Sequence, residues 1–240
     1  MSGKDDKSQL PASAKNAQVD AFLRKVAAMP AARPTGGRGK LIFAMDATAS
    51  RQPSWDHACQ IQGEMFEATA ALGGLDVQLV FYRGFNECKA SKWLSAAPSL
   101  HNAMRSVFCM GGETQIARVF RHALKVAEIQ KIGALVFVGD AMEEKLDKLC
   151  GLAGQLGLLG VPVFVFHEGH EAAAEHAFKE IARLSRGVYC RFDANSAGEL
   201  RALLGAVAAY AAGGHRALAT YSKSAGGSAL LIARQLGAGT

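Results

Sequence analysis

From residue 40 onward short apolar runs alternate with amphipathic segments. The runs fall at 41–45, 77–82, 134–138, 161–166 and 188–192. They are rich in Val and Phe and apolar on both faces, which is how parallel strands buried between two helical layers look. The segments between them place apolar residues three and four apart. Ala58, Ile61, Met65, Ala68 and Leu72 predict a helix over 54–72. Ile116, Phe120, Ala123 and Ala127 line one over 114–130, and Leu146, Leu149, Ala153 and Leu156 line one over 143–159. Further helices are expected over 100–108, 171–184 and 197–210.

Residues 86–94 interrupt this alternation. Arg83-Gly84 is too short for the crossover that a parallel neighbour requires, so this segment predicts an antiparallel hairpin at the sheet edge. Lys89 and Lys92 suit an exposed edge. The expected architecture is α/β: an open, mostly parallel, doubly wound Rossmann-like sheet with one antiparallel edge strand and helices on both faces.

Both ends differ from this body. Residues 1–14 are polar, residues 18–29 predict a short helix with Val19, Phe22, Leu23 and Val26 on one face, and Pro30, Pro34 and the following glycines mark a linker. The chain therefore divides into a flexible basic arm and linker (1–39), a domain (40–211) and a C-terminal helical extension (212–240). Residues 1–35 are expected to be dispensable for folding. The extension has weak helical stretches at 215–222 and 228–236, and its Leu230, Leu231, Ile232 and Leu236 need cover.

Charge follows the same division. Of the formal net charge of +6, residues 1–40 carry +5 and residues 212–240 carry +3, leaving −2 on 41–211. A nucleic-acid groove would put the basic stripe on the folded body, so no nucleic-acid partner is expected. No apolar run approaches the roughly 20 residues a membrane span needs. The N-terminus has no apolar segment behind it, so the expected location is cytoplasmic. Five cysteines without a CxxC pair read as reduced, largely buried thiols.

Candidate chemistry gathers where apolar runs end. Asp46, Thr48 and Ser50 alternate just beyond the first run, Thr114 follows Gly111-Gly112-Glu113 before a helix, and Asp140 closes the third run. Open α/β sheets bind ligands at the carboxyl ends of their strands, near the switch in strand order. Carboxylates and hydroxyls are hard oxygen donors, suited to Mg²⁺, Mn²⁺ or Ca²⁺ rather than Zn²⁺ or copper. Taken singly, Asp46, Ser50 and Thr114 also fit helix caps, and Asp140 fits a turn.

These residues carry a resemblance. Asp46-Ala-Thr48-Ala-Ser50, then Gly-Gly-Glu-Thr114, then Val-Gly-Asp140, resembles the metal-ion-dependent adhesion site of von Willebrand factor type A domains, of the intracellular bacterial type. The likeness extends over about 40–211 and includes the edge hairpin and the closing strand and helix. It implies direct hydroxyl ligation by Thr48 and Ser50, with Thr48 in place of the commoner Ser. It implies that Asp46 and Asp140 act mostly through water, and that Thr114 binds directly when a partner is engaged. One coordination position would stay open for an Asp or Glu of a partner protein. The implied function is Mg²⁺-dependent protein–protein interaction without catalysis, as an adaptor or subunit of a larger cytoplasmic assembly; similar domains serve metal chelatases and stress-response assemblies.

The alternative from another class is a haloacid-dehalogenase-like phosphatase, with Asp46 as nucleophile, Thr114 on the phosphate and Asp140 to Glu143 holding Mg²⁺. That chemistry wants a second acid where this chain has Thr48. His167, His170 and His176 read as surface loop histidines rather than zinc ligands. The glycines at 36, 37 and 39 do not form a phosphate loop, because they precede a strand. Trp55 and Trp93 read as packing residues.

Overall fold

The computed structural model describes residues 21, 24–26, 38–70, 74–192 and 197–224. Six strands form one sheet: β1 (Gly39–Asp46), β2 (Leu75–Arg83), β3 (Glu87–Ala90), β4 (Ala134–Gly139), β5 (Val163–Glu168) and β6 (Val188–Phe192). Their order is β3-β2-β1-β4-β5-β6. All neighbours are parallel except β2 and β3, which pair antiparallel through Val80↔Ala90 to Arg83↔Glu87. The edge hairpin is thus where the short Arg83-Gly84 connection puts it.

The helices are α1 (Gln52–Ile61), α2 (Gly63–Glu67), α3 (Ala97–Arg105), α4 (Ile116–Ile129), α5 (Leu146–Leu158), α6 (Ala172–Leu184) and α7 (Ala197–Ser224). Strand pleating assigns each helix a face, because successive side chains point to opposite sides. Leu41, Phe43 and Met45 join Val136, Val138, Phe164 and Phe166 under α1, α2, α3 and α7. Ile42 and Ala44 join Leu135, Phe137, Val163 and Val165 under α4, α5 and α6. Each fully buried Phe or Leu contributes about 1.5–3 kcal/mol of transfer free energy. Two-sided burial explains why the central strands read as unbroken apolar runs.

Helix α7 is two helical stretches on either side of a break at Gly213 and Gly214, the latter at φ 65°, and the second covers the stretch expected at 215–222. Beyond the break Leu218 is buried in the core and Tyr221 packs against it. Gly39, from the glycine-rich approach to β1, is a packing position: a Cβ there would lie 2.4 Å from the Ala212 Cα. Val26 is fully buried in the same cluster, so the segment before the linker supplies at least this side chain to the core. The expected stretch at 228–236 and most of the arm lie outside the described residues. Among the described residues no helix is long and apolar enough to cross a membrane.

Candidate metal centre

The strand order switches direction between β1 and β4, and two candidate carboxylates flank that point. Asp46 ends β1, paired with Tyr82 on β2, and Asp140 directly follows β4. Asp46 is 1% exposed, yet both its oxygens are satisfied. The Thr48 N–H donates to Oδ1 at 2.7 Å and the buried Tyr82 hydroxyl donates to Oδ2 at 2.9 Å. The first contact bends the chain out of β1 into a 3₁₀ turn at Ala49–Arg51. That turn carries Ser50 to β4, where Ser50 Oγ donates to Asp140 Oδ2 at 3.1 Å. Thr48 Oγ1 lies 3.5 Å from Ser50 Oγ. Asp46, Thr48, Ser50 and Asp140 therefore form one chain of contacts.

Thr114 comes from the loop before α4 and meets the segment after Asp140. Its N–H donates to Glu143 Oε2 at 2.8 Å, and its Oγ1 accepts the Glu143 N–H at 3.0 Å. The first two amides of α4, from Ile116 and Ala117, donate to Glu144. A carboxylate at a helix N-terminus is favoured by orphan donors and by the helix dipole. The helix-cap reading of the candidates does not hold for the hydroxyls: Arg51, not Ser50, stands at the start of α1, and Gln115, not Thr114, stands at the start of α4, neither with a side-chain cap bond.

The same loop is pressed onto the ends of β1 and β2. The Met110 N–H donates to the Ala47 carbonyl at 2.9 Å. A Cβ on Gly112 would sit 2.1 Å from the Gly84 carbonyl oxygen, so only glycine fits this approach. The Gln115 side-chain amide donates to the Arg83 and Gly84 carbonyls at 3.2 and 3.1 Å.

Electrostatically the centre is rich in negative charge. Burial pushes the Asp46 carboxyl above its ordinary value; Thr48 and Tyr82 oppose this as donors, and Asp140 adds to it. Burial and then Asp46 push the Tyr82 phenol far up, so it stays a donor. One cation is built in. Arg51 is 1% exposed, donates through Nη1 to Glu168, and holds Nη1 4.0 Å from Asp140 Oδ2. Ser54 donates to the same Glu168 oxygen. Burial pushes the neighbouring Cys109 thiol up to about 11, which keeps it protonated.

His167 corrects the sequence reading. It lies in β5, fully buried against Phe178 and Tyr189, and is not a loop histidine. A carbonyl only accepts, so Nε2 donates to the Asp140 carbonyl at 3.3 Å and Nδ1 accepts from the Tyr189 hydroxyl at 2.9 Å. Burial lowers its pKa from the ordinary 6.5. The folded chain thus binds this proton less readily than the unfolded chain. Its contribution to stability is whole above the unfolded value and is lost as pH falls through the folded one. Thermal unfolding without added metal should therefore move to lower temperature as pH drops below about 6.5. His167→Gln should flatten that slope; an unchanged slope assigns it to another group.

The donor set fits a hard cation: two carboxylates and two hydroxyls converge, with a third hydroxyl one segment away. Among the described residues no group of three or more His, Cys, Asp or Glu is placed to hold a metal, so a site here depends on Thr and Ser oxygens. Tyr82, Arg51 and Glu168 carry no local sequence signal of involvement. For Glu144 the signal was available, as an acid just beyond Asp140.

No protein-family model and no curated protein matches the sequence. Solved structures do. A von Willebrand factor type A protein from Catenulispora acidiphila superposes with TM-score 0.59 at 14% identity, over 73% of this chain and 44% of that one. The SpRpn10 VWA domain gives 0.54 at 14%, over 70% of this chain and 94% of that domain. Proximal thread matrix protein 1 of the mussel byssus, with a zinc-occupied MIDAS motif, gives 0.54 at 14%, over 75% of this chain and 48% of that one. The chain thus spans less than half the length of two of these three. Six strands in the order β3-β2-β1-β4-β5-β6, with a single antiparallel edge, together with these superpositions, identify the fold as that of von Willebrand factor A domains.

Proposed function

We propose that this chain is a Mg²⁺-dependent protein–protein interaction module, an adaptor or subunit of a larger cytoplasmic assembly that captures an Asp or Glu of its partner. The observation that carries this is the contact of Ser50 Oγ with Asp140 Oδ2 at 3.1 Å, which joins the Asp46-x-Thr48-x-Ser50 turn to β4 across the switch point. Asp46, Thr48, Ser50 and Asp140 would hold the ion, and Thr114 would join once its exchange with Glu143 opens. The bound cation supplies an electrophilic position for an outside carboxylate and offsets the repulsion between Asp46 and Asp140. Mn²⁺ and Ca²⁺ share this ligand preference, and the mussel protein's zinc-occupied motif supports a divalent ion in the fold. Residues 40–211 are taken as the interaction domain, with 1–39 and 212–240 as its arm and extension.

The phosphatase alternative fits less well. Asp46 is 1% exposed and held from both sides by Thr48 and Tyr82, where a nucleophile has to reach its substrate in line. Phosphatase turnover that disappears in Asp46→Asn would promote it.

A cation that binds only the folded state raises the melting temperature by mass action. At a hundredfold excess over Kd the gain is about 2.7 kcal/mol, or roughly 5–10 °C for a chain of this size. Differential scanning in Mg²⁺, Mn²⁺ and EDTA checks this. Identical melting in all three, with no heat of binding by calorimetry, removes the metal centre and the proposed function with it.

A further inference from the structure

We infer that the partner carries an apolar side chain within a few residues of its metal-binding carboxylate, seated on a patch formed by Phe85, Phe108 and Met110. This rests on the metal centre proposed above. The three side chains are 70%, 60% and 42% exposed, an unusual state for residues of this size. They come from two loops that meet beside Asp46. Met110 is tied by its N–H to the carbonyl of Ala47, the residue after Asp46. A Cβ on Gly84 would lie 3.2 Å from the Met110 Cε, so the Met110 side chain covers the turn that presents Phe85.

Phe108 stands on a rigid base. The Arg83 guanidinium stacks on its ring at 4.3 Å and donates to its carbonyl at 2.9 Å. Glu87 grips the same guanidinium through two bonds of 2.9 and 3.1 Å. A ring held this way loses little freedom when covered, which lowers the cost of docking. The other exposed large apolar residues described, Ile129, Leu158 and Leu159, sit where α4 and α5 run back toward the amino ends of β4 and β5, away from the centre.

Continuity with the metal centre decides the occupant. A single carboxylate on a cation discriminates little, since every protein surface offers Asp and Glu. An apolar anchor beside it supplies the difference in affinity between partners. Aromatic residues and Met are the types enriched at the cores of such contacts, and Met adapts its shape to what it meets.

The test selects random dodecapeptides displayed on phage against the full chain in Mg²⁺, with elution by EDTA. Selected peptides should carry Asp or Glu with Phe, Leu or Met close by. A synthetic selected peptide should bind the Phe85→Ser/Phe108→Ser/Met110→Ser variant about tenfold or more weakly, while that variant keeps the wild-type melting shift with Mg²⁺. Acidic peptides without apolar bias, or undiminished binding by the triple variant, overturn the inference and leave the metal centre standing. Peptides that EDTA does not release and that bind Asp140→Ala equally overturn both. No enrichment at all overturns the inference. So does self-association of the wild type, seen by sedimentation and lost in the triple variant, which assigns the patch to a second copy.

Discussion

Arg51→Met is expected to cost about 3–5 kcal/mol of unfolding free energy, a large share of the roughly 5–15 kcal/mol that holds a domain together. The Arg51 side chain is 2% exposed and that of its partner Glu168 18%. Removing the cation leaves the Glu168 carboxylate without its counter-charge and takes a positive neighbour from Asp140, 4.0 Å away. The pair itself is not optimal: Nε and Nη2 of Arg51 have no protein partner among the described residues. Its desolvation is therefore incompletely offset, so Arg51→Met/Glu168→Met should recover most of the loss. The same substitution makes the centre more negative, so folded Arg51→Met should bind Mg²⁺ more tightly than the wild type. Denaturant titration and calorimetry read the two effects separately. A single variant within about 0.5 kcal/mol of wild type would show that this ion pair is solvated and structurally idle.

The sheet was legible because its strands are buried on both sides, which leaves runs such as Val-Phe-Val at 136–138 with no polar interruption. The edge hairpin was legible from chain length alone. Helix continuity was not. The spacing of Ala58, Ile61 and Met65 runs unbroken through Gln62, where the chain passes from α1 to α2. Periodicity reports which face is apolar, and a short break that keeps the face leaves the pattern intact. At the other end the break at Gly213-Gly214 and the helical stretch beyond it were legible, and Leu218 supplies apolar surface there.

In the centre, the meeting of Asp46, Thr48, Ser50 and Asp140 was legible because they stand at or just beyond the ends of two apolar runs, whereas Thr114 follows a glycine pair. What surrounds them was not, since those contacts span long stretches of chain. Tyr82 meets Asp46 across 36 positions and Arg51 meets Glu168 across 117. In sequence Tyr82 is only the last residue of an apolar run. His167 was misplaced for the same reason. Its Glu-Gly-His neighbours look like a loop, while Phe178 and Tyr189, which bury it, come from α6 and β6. The apolar patch beside the centre was equally silent, because Phe85, Phe108 and Met110 look like ordinary core residues until the loops are placed.

Asp46→Asn is expected to abolish the response to Mg²⁺ while leaving the metal-free protein as stable as the wild type or more so. Asn keeps an oxygen to accept from Thr48 or Tyr82 and removes the charge. In the wild type that charge is disfavoured by burial and by Asp140, which is why the carboxyl is raised. The folded state thus carries an electrostatic cost that a bound cation relieves and that amidation removes. Asp46→Ala differs, because it strands the buried Tyr82 hydroxyl and should cost about 1–3 kcal/mol as well. Tyr82→Phe tests the orientation of the carboxylate. It leaves the charge but removes the donor that holds Oδ2 at 2.9 Å. Loss of such an outer partner typically weakens metal affinity about 10–100-fold. Melting curves with and without Mg²⁺, and calorimetric affinities, separate the three variants. A Mg²⁺ shift that survives in Asp46→Asn places the cation elsewhere. Lower metal-free stability in Asp46→Asn would show that the carboxylate stabilises the fold, so that Asp46 is a structural acceptor and not a residue kept for the ion.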